Sequence, residues 1–118
     1  MIPRKRNHKE SKEQINFVMR IRWLYPDVLI FSIPNGGKRS KTEAVQLKKE
    51  GTLKGIPDLF IAKQNRVYAG LFIEMKTEEG KLSPEQIIMR NKLKSEGYQV
   101  ITAHSFDEAY EEFKNYIS

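Results

Sequence analysis

Apolar residues recur along this chain at two spacings, and each spacing predicts a different element. Residues 9–25 carry the helical one: Ile15, Val18, Arg22 and Tyr25 lie near one stripe, with Phe17, Ile21 and Leu24 beside it. Pro26 ends that helix, because proline disfavours helical backbone in the residue before it. Residues 28–33, 58–63, 70–76 and 98–103 are short runs rich in branched and aromatic side chains, which is strand character. Pro34-Asn35-Gly36-Gly37 reads as a turn.

Ser40-Lys41-Thr42-Glu43, Ser83-Pro84-Glu85-Gln86 and Ser105-Phe106-Asp107-Glu108 each match a capping box, the second with proline at the first helical position. They predict helices ending at about residues 50, 96 and 117, the first two stopped by Gly51 and Gly97. The order is helix, strand, short helix, strand, strand, helix, strand, helix. That is an α/β domain with a central mixed sheet of about four strands flanked by helices. No repeat, low-complexity segment or linker divides the 118 residues, so they read as one domain, with residues 1–8 as a basic arm.

Composition narrows the function classes. A hydrophobic fraction of 39% supports one modest core, and no apolar run approaches a membrane span, so no membrane partner is expected. The basic first twelve residues lack the apolar stretch of a secretory signal. The absence of cysteine excludes a disulfide framework and a Cys-based zinc site, and is compatible with the cytoplasm. The net charge of +6 is unevenly spread: residues 1–57 hold 13 basic and 5 acidic side chains, a net of +8, and the remainder nets −2. Such a basic half suits a polyanion, most simply nucleic acid, or else is a solvated surface. His8 and His104 lack ligand spacing and are assigned no role; Trp23 and the tyrosines read as core or interface packing.

The segment Leu-Phe-Ile-Glu-Met-Lys-Thr, residues 71–77, ends an apolar run with two charges. In a strand, Phe72, Glu74 and Lys76 share one face. If residues 58–63 and 70–76 form an antiparallel hairpin centred near Arg66, Asp58 sits opposite Glu74. A shift of one residue would put the two carboxylates on opposite faces. Opposed like charges in a sheet are destabilising unless they share a proton, a cation or a neighbouring ammonium such as Lys76. One reading is a salt bridge at the end of a hairpin. The other is a hard divalent cation held by carboxylates, with Lys76 serving a water or phosphate beside it.

Five segments stand in order: Glu10-Ser11-Lys12-Glu13-Gln14, Pro34-Asn35-Gly36-Gly37-Lys38-Arg39-Ser40, Gly51 with Lys54-Gly55-Ile56-Pro57-Asp58, Ile73-Glu74-Met75-Lys76, and Leu82-Ser83-Pro84-Glu85-Gln86. Pro57-Asp58 with Glu74-x-Lys76 resembles the PD-(D/E)xK nuclease signature. The whole set, over about residues 9–104, resembles the VRR-NUC family, the virus-type replication-repair nuclease domain, and misses no catalytic position. The resemblance implies a restriction-endonuclease-like core. It implies that Asp58 and Glu74 hold Mg²⁺ or Mn²⁺ with the backbone carbonyl of Met75, and that Lys76 is the catalytic lysine. It also brings Glu10, the acidic residue of the first helix, to the same site. Glu13 is the alternative; Glu10 is preferred for its four-residue spacing to Gln14, and either also fits a helix-start glutamate favoured by the macrodipole. Gln86 matches the family glutamine that orients a site group or phosphate, and equally fits a plain capping residue. Asn35, Gly36 and Gly37 would offer backbone N–H groups to phosphate, with Lys38, Arg39, Lys41 and Lys54 as DNA contacts; otherwise this is an ordinary turn with solvated flanks.

Small stand-alone domains of the family resemble phage and bacterial proteins that act as homodimers on branched DNA. The implied activity is a metal-dependent endonuclease leaving a 5′-phosphate. A four-way (Holliday) junction is the specific expectation, because the chain shows no further domain for a flap or a partner, and a two-fold dimer supplies paired cuts. The expected location is the cytoplasm of a bacterial or phage-infected cell. A non-catalytic branched-DNA-binding module is the reading from another class, and the intact Asp58, Glu74 and Lys76 argue against it. A restriction-type or nicking endonuclease is the alternative within the enzyme class, without a visible base-reading element.

Overall fold

The structure, a computed structural model, describes residues 8–34, 40–77 and 79–118. The elements run α1 (His8–Leu24), β1 (Ile30–Ser32), α2 (Lys41–Lys49), β2 (Leu59–Ile61), β3 (Leu71–Met75), α3 (Pro84–Ser95), β4 (Gln99–Ala103) and α4 (Phe106–Ile117). The strands form one sheet in chain order. β1 and β2 pair antiparallel, as do β2 and β3, while β3 and β4 are parallel. A parallel pair needs a long crossover, and α3 supplies it. Leu59 pairs with Ile73, Phe60 with Phe72 and Ile61 with Leu71, the register of a hairpin centred near Arg66.

The period of two divides the sheet into two differently covered faces. Leu59, Ile61, Leu71, Ile73 and Met75 pack against Phe17 and Ile21 of α1 and Ala109, Phe113 and Tyr116 of α4. Phe113 anchors this layer, with the rings of Phe17 and Tyr25 edge-on at 6.3 and 5.0 Å. On the other face Phe60 meets Phe72, Phe31 and Tyr98, and α3 covers Val100 and Thr102 of β4. The result is three layers with β3 buried along its whole length. Glu74 is therefore a charged residue in a strand that is otherwise apolar.

All three serine caps form: the Oγ atoms of Ser40, Ser83 and Ser105 accept from the N–H groups of Glu43, Gln86 and Glu108, a contact worth about 1 kcal/mol each. The inward stripe of α1 differs from the expected one. It consists of Glu10, Phe17 and Ile21, with Val18 and Tyr25 partly buried against the core. Ile15, Leu24 and Trp23 are exposed instead, so Trp23 is not core packing. Two overlapping stripes fit the same periodicity, and contact with α4 and the sheet selects the one through Phe17. β1 and β2 are also shorter than expected. Their backbone pairing nevertheless continues at both ends, through Ile33 N–H to the Asp58 carbonyl (2.8 Å) and Ala62 N–H to the Leu29 carbonyl (2.9 Å). Among the described residues no helix is long and apolar enough to cross a membrane.

The β2–β3 loop is stapled to α4. Asn65 Oδ1 accepts from the N–H groups of Val67 (2.9 Å) and Tyr68 (2.7 Å), and its Nδ2 donates to the Tyr116 carbonyl at 3.0 Å. The Tyr116 hydroxyl donates to the Lys63 carbonyl at 2.6 Å. These bonds hold the hairpin register from its closed end. Burial raises the Tyr116 pKa by disfavouring the phenolate. The resulting stabilisation is fully present below the unfolded value of about 10 and is lost as pH rises through the raised folded value. Tyr116→Phe should therefore remove this part of the alkaline loss, while lowering stability at neutral pH by about 1 kcal/mol, both read by urea denaturation.

Candidate active site

Among the described residues, the buried polar side chains are Glu10, Asp58, Glu74, Lys76 and Gln86. These are the five catalytic candidates of the sequence reading. Asp58 stands at the start of β2, Glu74 and Lys76 at the end of β3, Gln86 in the first turn of α3 and Glu10 in the first turn of α1.

Continuing the ladder one step beyond Leu59 and Ile73 sets Asp58 opposite Glu74. Asp58 Oδ2 accepts the Met75 N–H at 2.8 Å, and its main-chain carbonyl takes the Ile33 N–H. Both the backbone and the side chain of Asp58 are thus fixed to neighbouring strands. Glu74 Oε2 accepts from Gln86 Nε2 at 3.0 Å. Gln86 Oε1 in turn accepts the Ser83 N–H at 2.8 Å, and the Gln86 N–H donates to Ser83 Oγ at 3.2 Å. Gln86 is thus a capping residue whose side-chain amide also reaches Glu74. The helix cap locks the side chain whose amide reaches Glu74.

The Lys76 N–H donates to the Ala103 carbonyl at 2.9 Å, which continues the β3–β4 ladder. Its side chain is only 6% exposed. The Gly80 N–H returns to the Thr77 carbonyl, and a Cβ on Gly80 would lie 3.3 Å from both Cβ and Cδ of Lys76. A side chain at position 80 would therefore crowd the lysine stem. Glu10 Oε2 accepts the Thr77 N–H at 3.2 Å, tying α1 to the backbone just after Lys76. Glu13 instead lines an open cleft of about 550 Å³ with Trp23 and Phe106.

Gly55 links the loop before Asp58 to α3. Its φ is +90°, and a Cβ there would lie 2.6 Å from the Glu85 carbonyl oxygen and 3.0 Å from the Gln86 nitrogen. Only glycine lets this loop touch the helical turn that carries Gln86. Lys54 Nζ reaches Glu85 Oε1 at 3.2 Å across the same contact. The Glu85 carboxyl is held below its ordinary range by a backbone hydrogen bond first and by Lys54 second. The sequence marks Gly55 only as part of a motif; its partner, 30 positions away, needs the fold to be seen.

Two buried carboxylates at adjoining strand ends, with the Met75 carbonyl on the same strand end, are hard oxygen donors. They suit Mg²⁺ or Mn²⁺, which take one or two protein carboxylates and complete their shell with water and phosphate oxygens. Among the described residues no three His, Cys, Asp or Glu side chains cluster as a ligand set. Glu10, in the first turn of α1, meets the strand end through the Thr77 backbone. Of the expected DNA contacts, Asn35, Gly36, Gly37, Lys38 and Arg39 lie outside the described residues. Lys41 is exposed in the first turn of α2, and Lys54 is exposed but paired with Glu85.

The family model of the VRR-NUC domain matches residues 9–107 of the chain. A solved structure of a VRR-NUC domain protein has a TM-score of 0.81 at 25% identity, covering 95% of this chain and 90% of that one. A second solved VRR-NUC domain has a TM-score of 0.65 at 22% identity, covering 93% of this chain and 99% of that one, a likeness of fold. No curated protein is significantly similar.

Gly55→Ala should cost at least about 2 kcal/mol, from positive φ and backbone overlap together. A fall in the thermal midpoint is the expected result, and an unchanged midpoint would show that the loop does not need this close approach.

Proposed function

Because the chain belongs to the VRR-NUC family, whose domain is a DNA-acting nuclease of the PD-(D/E)xK type, we propose that it is a metal-dependent endonuclease cutting branched DNA as a homodimer. The proposed substrate is a four-way junction, and the proposed product ends in a 5′-phosphate. The observation that carries the reading is the buried pair Asp58 and Glu74 with the buried Lys76 just past the end of β3. The nucleases of this superfamily use divalent metal ions. The same reading puts the work of the protein in the cytoplasm of a bacterial or phage-infected cell.

Asp58, Glu74 and the Met75 carbonyl would hold Mg²⁺ or Mn²⁺. Such an ion polarises a phosphate oxygen and lowers the pKa of bound water. Gln86 keeps the Glu74 carboxylate in place through the 3.0 Å bond. Lys76 orients the attacking water or balances charge on the phosphate, and Gly80 leaves room for its stem. Glu10 acts one step removed, by anchoring the backbone at Thr77. The basic half of the sequence supplies phosphate contacts.

The outer face of α1 supports the homodimer. Ile15, Met19 and Trp23, spaced by four residues, are 56, 64 and 82% exposed. Exposed apolar stripes mark interaction surfaces. Glu13, Arg20 and Asp107 beside the stripe carry both signs of charge. A mixed rim lets one patch face its own copy about a two-fold axis, whereas a DNA-binding face would be basic.

Two predictions follow from these roles. A labelled four-way junction should receive paired cuts near its branch point with Mg²⁺ or Mn²⁺, not with EDTA, while linear duplex and single strand are spared. Lys76→Ala should slow cutting by about 10²-fold or more. Tight junction binding without cutting under any metal would refute the enzyme and leave a binding module. Separately, Trp23→Glu should halve the mass found by light scattering; an unchanged dimer mass would reject this interface.

A further inference from the structure

Thr102 stands beside Glu74 in the parallel β3–β4 ladder, and paired residues of neighbouring strands project to the same side. That side is the one covered by α3. Thr102 Oγ1 is buried and has no hydrogen-bond partner. Buried hydroxyls are nearly always satisfied, so each exception calls for a physical reason. Packing does not supply one here. Val100, two residues earlier on the same face, is apolar and buried. Valine would fill the Thr102 position with nearly the same shape and bury no polar atom.

The surroundings of the hydroxyl narrow its purpose. Thr102 shares a cavity of about 10 Å³ with Glu74, Gln86, Gly55 and Pro57. A space of that size admits one water at most, so it receives no part of a nucleic acid. Glu74 lines it together with Arg90, the one cationic side chain among the described residues of its wall. Gln86 approaches Glu74 from the helix side, and Thr102 lies on the strand side. The hydroxyl makes no bond to Glu74 in the structure itself; a second donor, from a second element, would define the plane of the carboxylate better than Gln86 alone.

We infer that Thr102 is a positioning residue for Glu74: its hydroxyl is reserved for that carboxylate and sets its orientation toward a divalent cation. This rests on the metal-dependent reading above. It treats the hydroxyl as a group retained for the site and dispensable for folding.

The test is calorimetric titration with Mn²⁺ alone, together with thermal midpoints of the metal-free protein, for wild type, Thr102→Val, Thr102→Ser and Glu74→Gln. Groups that orient a metal ligand typically contribute about 10- to 100-fold in affinity. Thr102→Val should therefore melt at or above the wild-type midpoint and bind Mn²⁺ at least about tenfold more weakly. Thr102→Ser should recover most of the affinity, and Glu74→Gln should lose it. Equal Mn²⁺ affinity in wild type and Thr102→Val would overturn this inference and leave the nuclease reading standing. A wild type that binds no Mn²⁺ would overturn both. A Thr102→Val chain that fails to fold would contradict the inference directly, because the hydroxyl would then be structural.

Discussion

Asp58 and Glu74 are each 3% exposed on neighbouring strands, and the ladder running through Leu59 and Ile73 brings them opposite one another. Taking a carboxylate out of water costs several kcal/mol even after the protein relaxes, and facing like charges in a sheet adds repulsion. A core selected for stability alone would hold apolar residues here. The rest of the domain can be understood as the means of keeping these two groups where they are. Strand β3 is buried along its whole length, by α1 and α4 on one face and by Phe60, Tyr98 and the Gln86 side chain on the other. The Asn65 and Tyr116 bonds fix the hairpin at its far end. A slip of one residue there would separate the carboxylates onto different faces.

The second support comes from α3. Its serine cap, its proline start and its contact with Gly55 are all local devices for beginning a helix at one place. Their joint effect is to deliver the amide of Gln86 to Glu74. The helix cap and the contact with Glu74 therefore share one side chain. The oxygen of the Gln86 amide closes the helix cap, and its nitrogen holds the carboxylate. Glu10 repeats the arrangement on a smaller scale, as a first-turn glutamate that also accepts the Thr77 N–H.

Much of this was legible in the sequence, for identifiable reasons. Capping boxes are local, so the starts of α2, α3 and α4 could be read from four residues each. The hairpin register followed from two runs of strand character and one turn between them. Charges placed against that pattern, at Asp58, Glu74 and Lys76, stood out because burial makes them expensive. What stayed hidden depends on distant parts of the chain. The inward face of α1 is chosen by α4, so Ile15 and Leu24 fit the periodicity yet face outward. The approach of Gly55 to Glu85 and the pairing of Thr102 with Glu74 appear only once α3 and β4 are docked. Glu10 could be picked out by its motif, but its backbone partner at Thr77 could not.

The central claim is that the buried carboxylate pair exists to hold a divalent cation. The most direct measurement is anomalous X-ray diffraction at the manganese absorption edge, from crystals of the chain grown with Mn²⁺. The account predicts a peak bounded by the carboxylates of Asp58 and Glu74 and the carbonyl of Met75, and its disappearance in Asp58→Asn. Manganese bound only elsewhere, with Asp58 and Glu74 in their present hydrogen bonds to Met75 and Gln86, would contradict it.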